Sequence, residues 1–550
     1  MDKRTIIAVV LSMIILFAWQ YYFAPKTNEQ AGRQGSQTQE AKGQPTKTQG
    51  GPGPEASKPG PAATSEAPKA PAQAAPGLPT GVELPAAAAR SRTVKKITVD
   101  TPKMKVTLTD IGGGIASVEL KEYKETLGSP EGKQLVSDIA PYRYLPALSI
   151  IEGGSTVSDA VPFRPDRGDI TVRDKPETIV FEGTLADGTD VKKTYTFSPD
   201  GYGVGLSVET EEAQGAGSVL LDFATMSMKE KSRYSFAGPF IYDGRKLEQI
   251  EKPEKSVNAG TAYQYTGFDE GYFSFILDPR GKKPDLLVTK AGDTPVLRLL
   301  STGGRADGMI YFVPNKISLL KQLNINADKI VDFGWFDIVA KPTLWGMNFA
   351  NRFTHNYGID IILLTIIIKI IFYPLSVKSY KSMKNMQKLQ PKLAQLKEKY
   401  KNDKERLNQE MMGIYKKEGI NPLGGCLPMI IQIPVFFALY KVLMAAIEFR
   451  HAPFILWIND LSAPENLFTL QVAGYALPLR ILPLIMGITM VIQQKMTPTG
   501  GDPMQAKMMM FMPIFFTFLF WGFPAGLVLY WLVNNVISIG QQYYINKQVA

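Results

Sequence analysis

The chain has 550 residues, a formal net charge of +10, one cysteine and two histidines. A lone cysteine excludes a disulfide within the chain, and so few soft donors leave a Cys/His metal cluster without ligands, so neither metal nor other cofactor is expected. The length allows more than one domain, and a mean hydropathy near zero conceals two unlike halves, a soluble β-rich front and an apolar last third.

Residues 1–24 begin Met-Asp-Lys-Arg and continue as an apolar run that ends in Trp19, Tyr21, Tyr22 and Phe23. The run is long enough to span a bilayer, and an aromatic belt suits an interface. It reads as an uncleaved signal anchor with Lys3 and Arg4 on the cytoplasmic side. Residues 25–95 are rich in Pro, Ala, Gly and Gln, with few large apolar side chains. Such a stretch buries too little surface to offset its ordering entropy and is expected to be a disordered tether.

From 96 to 332 short alternating runs recur between Gly, Pro and Asp, for example Met104–Leu108, Lys193–Phe197, Val204–Glu209 and Val296–Leu300. Period-two alternation with turns such as Ala186-Asp187-Gly188 predicts antiparallel strands. The expected fold here is a large extracytoplasmic β-sandwich. It carries no GxSxG and no phosphate loop, so no enzyme chemistry is assigned to it. Residues 333–356 mix Trp335, Phe336, Ile338, Leu344, Trp345 and Phe349 with polar residues. They predict an amphipathic segment lying in the outer interface, split at Pro342.

The apolar runs Ile359–Val377, Leu427–Ile447, Leu477–Gln494, Met508–Trp521 and Ala525–Gln541 predict five membrane helices in the core, 357–550. With the anchor, the expected architecture is an α-helical membrane bundle of six transmembrane helices, five forming the core, with both termini cytoplasmic. The lysines between Lys378 and Lys417 follow the positive-inside bias, so the positive charge marks topology and no specific nucleic-acid sequence is expected as a partner. Within that loop, 379–418, two methionine- and leucine-bearing stripes separated by Asn402-Asp403 predict a helical hairpin.

Lys369 interrupts the first core run. A charge at such depth costs about 2.5–3.5 kcal/mol on insertion scales, so it is expected to face protein or water. Counting residues at about 1.5 Å each puts Lys369, Gln432 and Asn535 at a common depth near the inner boundary, with Tyr530 and Trp531 above them. Thr365 shares the helical face of Lys369. A hydrophilic pocket open to the cytoplasm follows. Snorkelling by Lys369, helix–helix hydrogen bonds for the amides and a backbone bond for Thr365 are the plainer alternatives.

Several motifs now converge. Asn421–Gln432 (NPLGGCLPMIIQ), Phe437–Tyr440 (FALY), Ala452–Asp460 (APFILWIND), Gln494–Pro498 (QKMTP) and Gly526–Tyr530 (GLVLY) resemble the signature of the YidC/Oxa/Alb membrane protein insertase family. The anchor, tether and outer domain resemble the Gram-negative bacterial form, in which the outer domain is a β-sandwich similar to sugar-mutarotase folds. The resemblance implies an inner-membrane insertase and chaperone, not an enzyme, with a cytoplasm-open groove that receives nascent membrane proteins and releases them to lipid, alone or with the Sec translocon. The family carries an arginine where Lys369 stands, so charge is kept and bidentate pairing is lost. Thr365, Gln432 and Trp531 resemble groove or substrate-contact positions of the family, Trp531 standing where tyrosine is also found. Some relatives dock the ribosome through a basic tail. Here Lys547 is alone near Ala550, so the hairpin lysines, such as Lys384, Lys388 and Lys397, are the expected client or ribosome contacts. The competing readings are a secondary transporter using Lys369 as a coupling or substrate site, and an envelope glycan enzyme carried by the β-domain.

Overall fold

The computed structural model describes residues 94–549 apart from 137–143, 153–154, 212–217, 225–235, 252–255, 292–293, 420–426, 473–474 and 497–502. The expected anchor, nearly all of the tether and Cys426 lie outside the described residues.

The front of the described chain forms a nine-stranded, a six-stranded and a five-stranded sheet, paired almost wholly antiparallel. Strands form where the residues alternate. In Asp190–Phe197 the positions 191, 193, 195 and 197 are buried, so Val191, Tyr195 and Phe197 enter the core. Lys193 occupies the remaining inward position. Its Nζ, fully buried, donates to Asp159 Oδ2 at 2.5 Å and to the Gly112 carbonyl at 2.7 Å, and Tyr144 donates to Asp159 Oδ1 at 2.8 Å. Burial alone pushes the Asp159 carboxyl up and the Lys193 ammonium down, and their contact opposes both shifts. Between sheets, Phe223 of the six-stranded sheet meets Phe275 of the nine-stranded sheet at 5.7 Å.

The last strand, Arg305–Pro314, leaves the domain through Asn315, which is tied to the turn at 269–273. Asn315 donates to Asp269 Oδ1 at 3.0 Å and to the Gly271 carbonyl at 2.9 Å, while Gly271 N donates to the same Asp269 oxygen at 2.8 Å. Burial lifts the Asp269 carboxyl from its ordinary value of 3.8 to about 7, and the two donors only partly oppose it. A raised folded pKa means that the folded state binds the proton more tightly. The associated stability is therefore fully present below about pH 4 and is lost as pH rises through about 7. Thermal unfolding of this domain should occur at lower temperature at pH 8.5 than at pH 5.5. Asp269→Asn keeps the Oδ1 acceptor and should flatten that dependence; an unchanged pH profile in the variant would remove Asp269 as its source.

A short helix, α1 (Ile317–Gln322), leads to α2 (Asp337–Thr354). Pro342 does not split α2, contrary to expectation. A proline in the second turn forfeits only one intrahelical hydrogen bond, and the buried Ala340, Thr343, Leu344 and Met347 hold the helix on the protein. Its other side leaves Ile338, Trp345, Phe349 and Phe353 exposed. Then come α3 (Tyr357–Ile371), α4 (Tyr373–Lys399), α5 (Lys404–Lys417), α6 (Leu427–Ala445), α7 (Ile481–Met496), α8 (Pro503–Phe520) and α9 (Ala525–Val549).

Two boundaries differ from the apolar runs. The first run breaks at Phe372, where α3 and α4 meet at 64°. Pro374 lacks the N–H that would continue the α3 ladder, so a new helix starts there. The third run begins as a strand, Tyr475–Leu479, paired with Phe468–Val472, before α7 starts. Among the described residues no single helix is long and apolar enough to cross a membrane alone. The bent pair α3–α4 passes that test together, and Ile431–Ala445, Ile481–Met496 and Met510–Phe520 are shorter apolar helices.

The segment after α6 joins the two halves. Arg450 donates to the Lys124 and Glu125 carbonyls at 2.7 and 2.8 Å and lies over the Phe273 ring at 5.6 Å. Further on, the Ala463 and Leu461 carbonyls accept from Ala525 N and Gly526 N at 2.8 and 3.0 Å, satisfying two orphan donors of the α9 N-terminus. Gly526 is required there, because a Cβ would stand 2.9 Å from Leu443 and 3.1 Å from the Leu461 carbonyl. Arg450 thus ties the segment after α6 to the β-domain, and the same segment holds the start of α9.

Candidate functional site

The members of the polar site come from three helices, α3, α6 and α9. On α9, Tyr530, Asn534 and Ser538 recur every fourth residue and so form one stripe. Gln432, on α6, donates to Tyr530 OH at 2.9 Å and to Asn534 Oδ1. Lys369, in the last turn of α3, donates to Ser538 Oγ at 2.7 Å. Ser538 in turn donates to the Asn534 carbonyl at 2.7 Å and lies in hydrogen-bond contact with Tyr380 of α4. The result is a ladder from Tyr530 to Lys369 along α9, facing α3 and α6.

Lys369 is half-buried, and among the described residues its hydrogen-bond partner is a neutral hydroxyl rather than a carboxylate. A charge withdrawn from water without a counter-charge is expensive. The C-terminal end of α3 offsets part of that expense, because the helix dipole favours a cation in the last turn. With one hydrogen bond among the described residues, the ammonium has donors available to an anion or a polar acceptor.

The expected residues do not all meet. Gln432 and Tyr530 join Lys369 through α9, but Asn535 turns toward α7, where its Nδ2 donates to Thr489 Oγ1 at 3.2 Å. Thr365, fully buried, donates to its own helix at the Ile361 carbonyl at 2.6 Å, which is the plainer reading of that residue. Trp531 lies in an aromatic cluster, edge-on to Phe436 at 5.1 Å and stacked on Phe516 at 6.1 Å. Lys369 sits two residues from the end of α3 rather than within the longer span Ile359–Val377, because of the break at Phe372. Asn534 and Ser538 were missed. Stepping by four from Tyr530 would have found both.

The hairpin forms from α4 and α5, with Leu389 and Leu393 buried against Met386, Met411, Ile414 and Tyr415. Asp403 caps α5 by accepting from Arg406 N at 3.0 Å. Its lysines are not equivalent. Lys388 is exposed, whereas Lys384 donates to the Asn546 carbonyl near the end of α9 at 3.2 Å and Lys397 is half-buried with an interaction of its own. Lys384 thereby couples the hairpin to the helix that carries the polar ladder.

Comparison with known proteins bears on the whole chain. Residues 96–346 match the YidC periplasmic domain family and residues 349–550 the 60Kd inner membrane protein family. A membrane protein insertase YidC of Citrifermentans bemidjiense is 39% identical over 586 aligned residues, covering 100% of both chains. One from Geobacter sp. strain M21 is 42% identical, covering 83% of this chain and 86% of its own. A solved structure described as an active YidC insertase with its first transmembrane domain resolved is 21% identical, covers 82% of this chain and 93% of its own, and has a TM-score of 0.39. With 39% identity to one curated relative over the full length and both family models matched, the chain belongs to the YidC family of membrane protein insertases, non-enzymatic proteins of the bacterial inner membrane that carry a periplasmic domain and act on membrane-protein clients.

Proposed function

We propose that the ladder from Tyr530 to Lys369 is the client groove and that insertion proceeds by electrostatic capture followed by partition into lipid. The observation that carries this reading is Lys369, an ammonium in the last turn of an apolar helix with a neutral partner. A nascent segment bearing acidic or polar residues replaces lost hydration with contacts to Lys369, Gln432 and Asn534, and its apolar helix then moves out along the surrounding helices. No phosphate-loop motif occurs in the sequence, so apolar partition and the membrane potential supply the free energy.

In this reading the chain crosses the membrane six times with both termini in the cytoplasm. Residues 96–332 are the periplasmic domain, 333–356 lie in the outer interface, and 357–550 form the core, with the hairpin 379–418 in the cytoplasm. Lipid, the Sec translocon and the ribosome are the proposed partners beyond the client, the last through exposed hairpin cations such as Lys388. The full chain reconstituted in protein-free liposomes, with a membrane potential imposed, should insert a small single-span client with an acidic translocated segment. Insertion no greater than in empty liposomes would show that the chain does not suffice alone.

A further inference from the structure

The hairpin between α6 and α7, Phe468–Val472 with Tyr475–Leu479, plays no part in the proposed groove. Its register pairs Phe468 with Leu479, Leu470 with Leu477 and Val472 with Tyr475. Side chains alternate across a pleat, so Phe468, Leu470 and Leu479 share one face, and all three are apolar. Thr469 and Gln471 stand on the opposite face. From Leu467 to Leu479 the sequence holds no charged residue.

An isolated two-stranded hairpin is marginal in water, and soluble proteins guard exposed strand edges with charges. Here the first strand is open along its described side chains and no charge guards it. Phe468 is 48% and Leu470 46% exposed, and Thr469 and Gln471 are exposed as well. Its base is nevertheless fixed. Leu467 N donates to the Leu479 carbonyl at 3.0 Å, buried Glu465 accepts from Leu482 N and from the Trp457 indole, and Arg480 donates to the Trp521 carbonyl. Only Arg480 separates the second strand from α7. The outward face of α7 bears Leu484, Ile485, Ile488, Val491 and Ile492, all exposed. That is a surface a bilayer covers, and a hairpin locked to its first turn continues it.

We propose that this hairpin is an interfacial lipid anchor, its Phe468–Leu470 face seated at the headgroup–acyl boundary of the outer leaflet and its Thr469–Gln471 face turned to water. Interfacial amphipathic elements seat their apolar face about 5–10 Å into that boundary. The inference rests on the reading of α7 as a membrane-embedded helix.

The test uses the full chain in lipid nanodiscs, with Cys426 replaced by serine and single cysteines carrying a spin label. The sites are Phe468→Cys and Leu470→Cys on the apolar face, Thr469→Cys on the other, Ile488→Cys on α7 and Lys175→Cys on the exposed β-domain surface. Collision with oxygen reports lipid, and collision with a water-soluble nickel chelate reports solvent. The oxygen-to-nickel ratio should be severalfold higher at 468, 470 and 488 than at 469 and 175. Nickel access at 468 and 470 equal to that at 175, with 488 still oxygen-favoured, overturns the anchor alone. Exclusion of both reagents from 468 and 470 means that a second copy covers the face, and also overturns it. Nickel access at 488 overturns the membrane reading of α7 and the anchor with it.

Discussion

Lys369→Glu is expected to abolish insertion of clients whose translocated segment is acidic, while Lys369→Arg retains it and Lys369→Ala falls between. The ordering follows from charge. At an effective dielectric of about 20, a carboxylate about 6 Å from the ammonium gains about 3 kcal/mol, and water and salt in an open groove reduce this to about 1–2 kcal/mol. Loss of that attraction slows insertion about tenfold, and reversal turns it into repulsion of similar size. Ser538 keeps its bond to the Asn534 carbonyl in every variant, so the fold of α9 has no reason to fail. A client with an uncharged translocated segment should insert at nearly the wild-type rate in all of them, which separates an electrostatic role from general damage. Full insertion of the acidic client by Lys369→Glu, at normal protein level, would end the case for capture by charge.

The sequence made the strands and Lys369 plain because each depends on local pattern. Alternation along Asp190–Phe197 or Gly203–Glu211 reports one buried face directly. A lysine in Ile359–Pro374 stands out by contrast with its neighbours. What the chain did not show locally was azimuth. Asn534 and Asn535 have the same depth but point about 100° apart on a helix, so depth counting chose the one that faces Thr489 rather than the one that meets Gln432. Helix ends were obscured for a similar reason. Hydropathy averages over Phe372 and over Tyr475–Leu479, whereas the bend and the strand are set by Pro374 and by pairing with Phe468–Val472. The Arg450 bridge to Lys124 and Glu125 spans more than 300 positions and leaves no trace in periodicity. Lys193 was read as one residue of a strand. That it points inward became meaningful only with Asp159 opposite it.

Lys193→Met is expected to give the largest loss of stability in the periplasmic domain while leaving insertion by the core nearly intact. Methionine fills the volume but leaves Asp159, fully buried, with Tyr144 as its remaining side-chain donor. Removing one partner of a buried pair costs about 3–5 kcal/mol. For a domain of this size each kcal/mol moves the midpoint by about 2–4 °C, so unfolding should fall by roughly 6–20 °C. The double variant Lys193→Met, Asp159→Asn keeps an acceptor for Tyr144 and removes the stranded charge. It should recover more than half of the loss, and no recovery would assign the defect to packing instead. Proteolysis of the full chain in nanodiscs reads the domain separately from the helices. Among the described residues the polar ladder is built from α3, α6 and α9, while Arg450 and the segment around α2 join the domain to the helices. Liposomes bearing Lys193→Met should therefore insert the small client even when the domain is cleaved as an unfolded chain. If insertion instead fails in step with domain unfolding, the β-domain holds the groove in shape through Arg450, and the core does not act by itself.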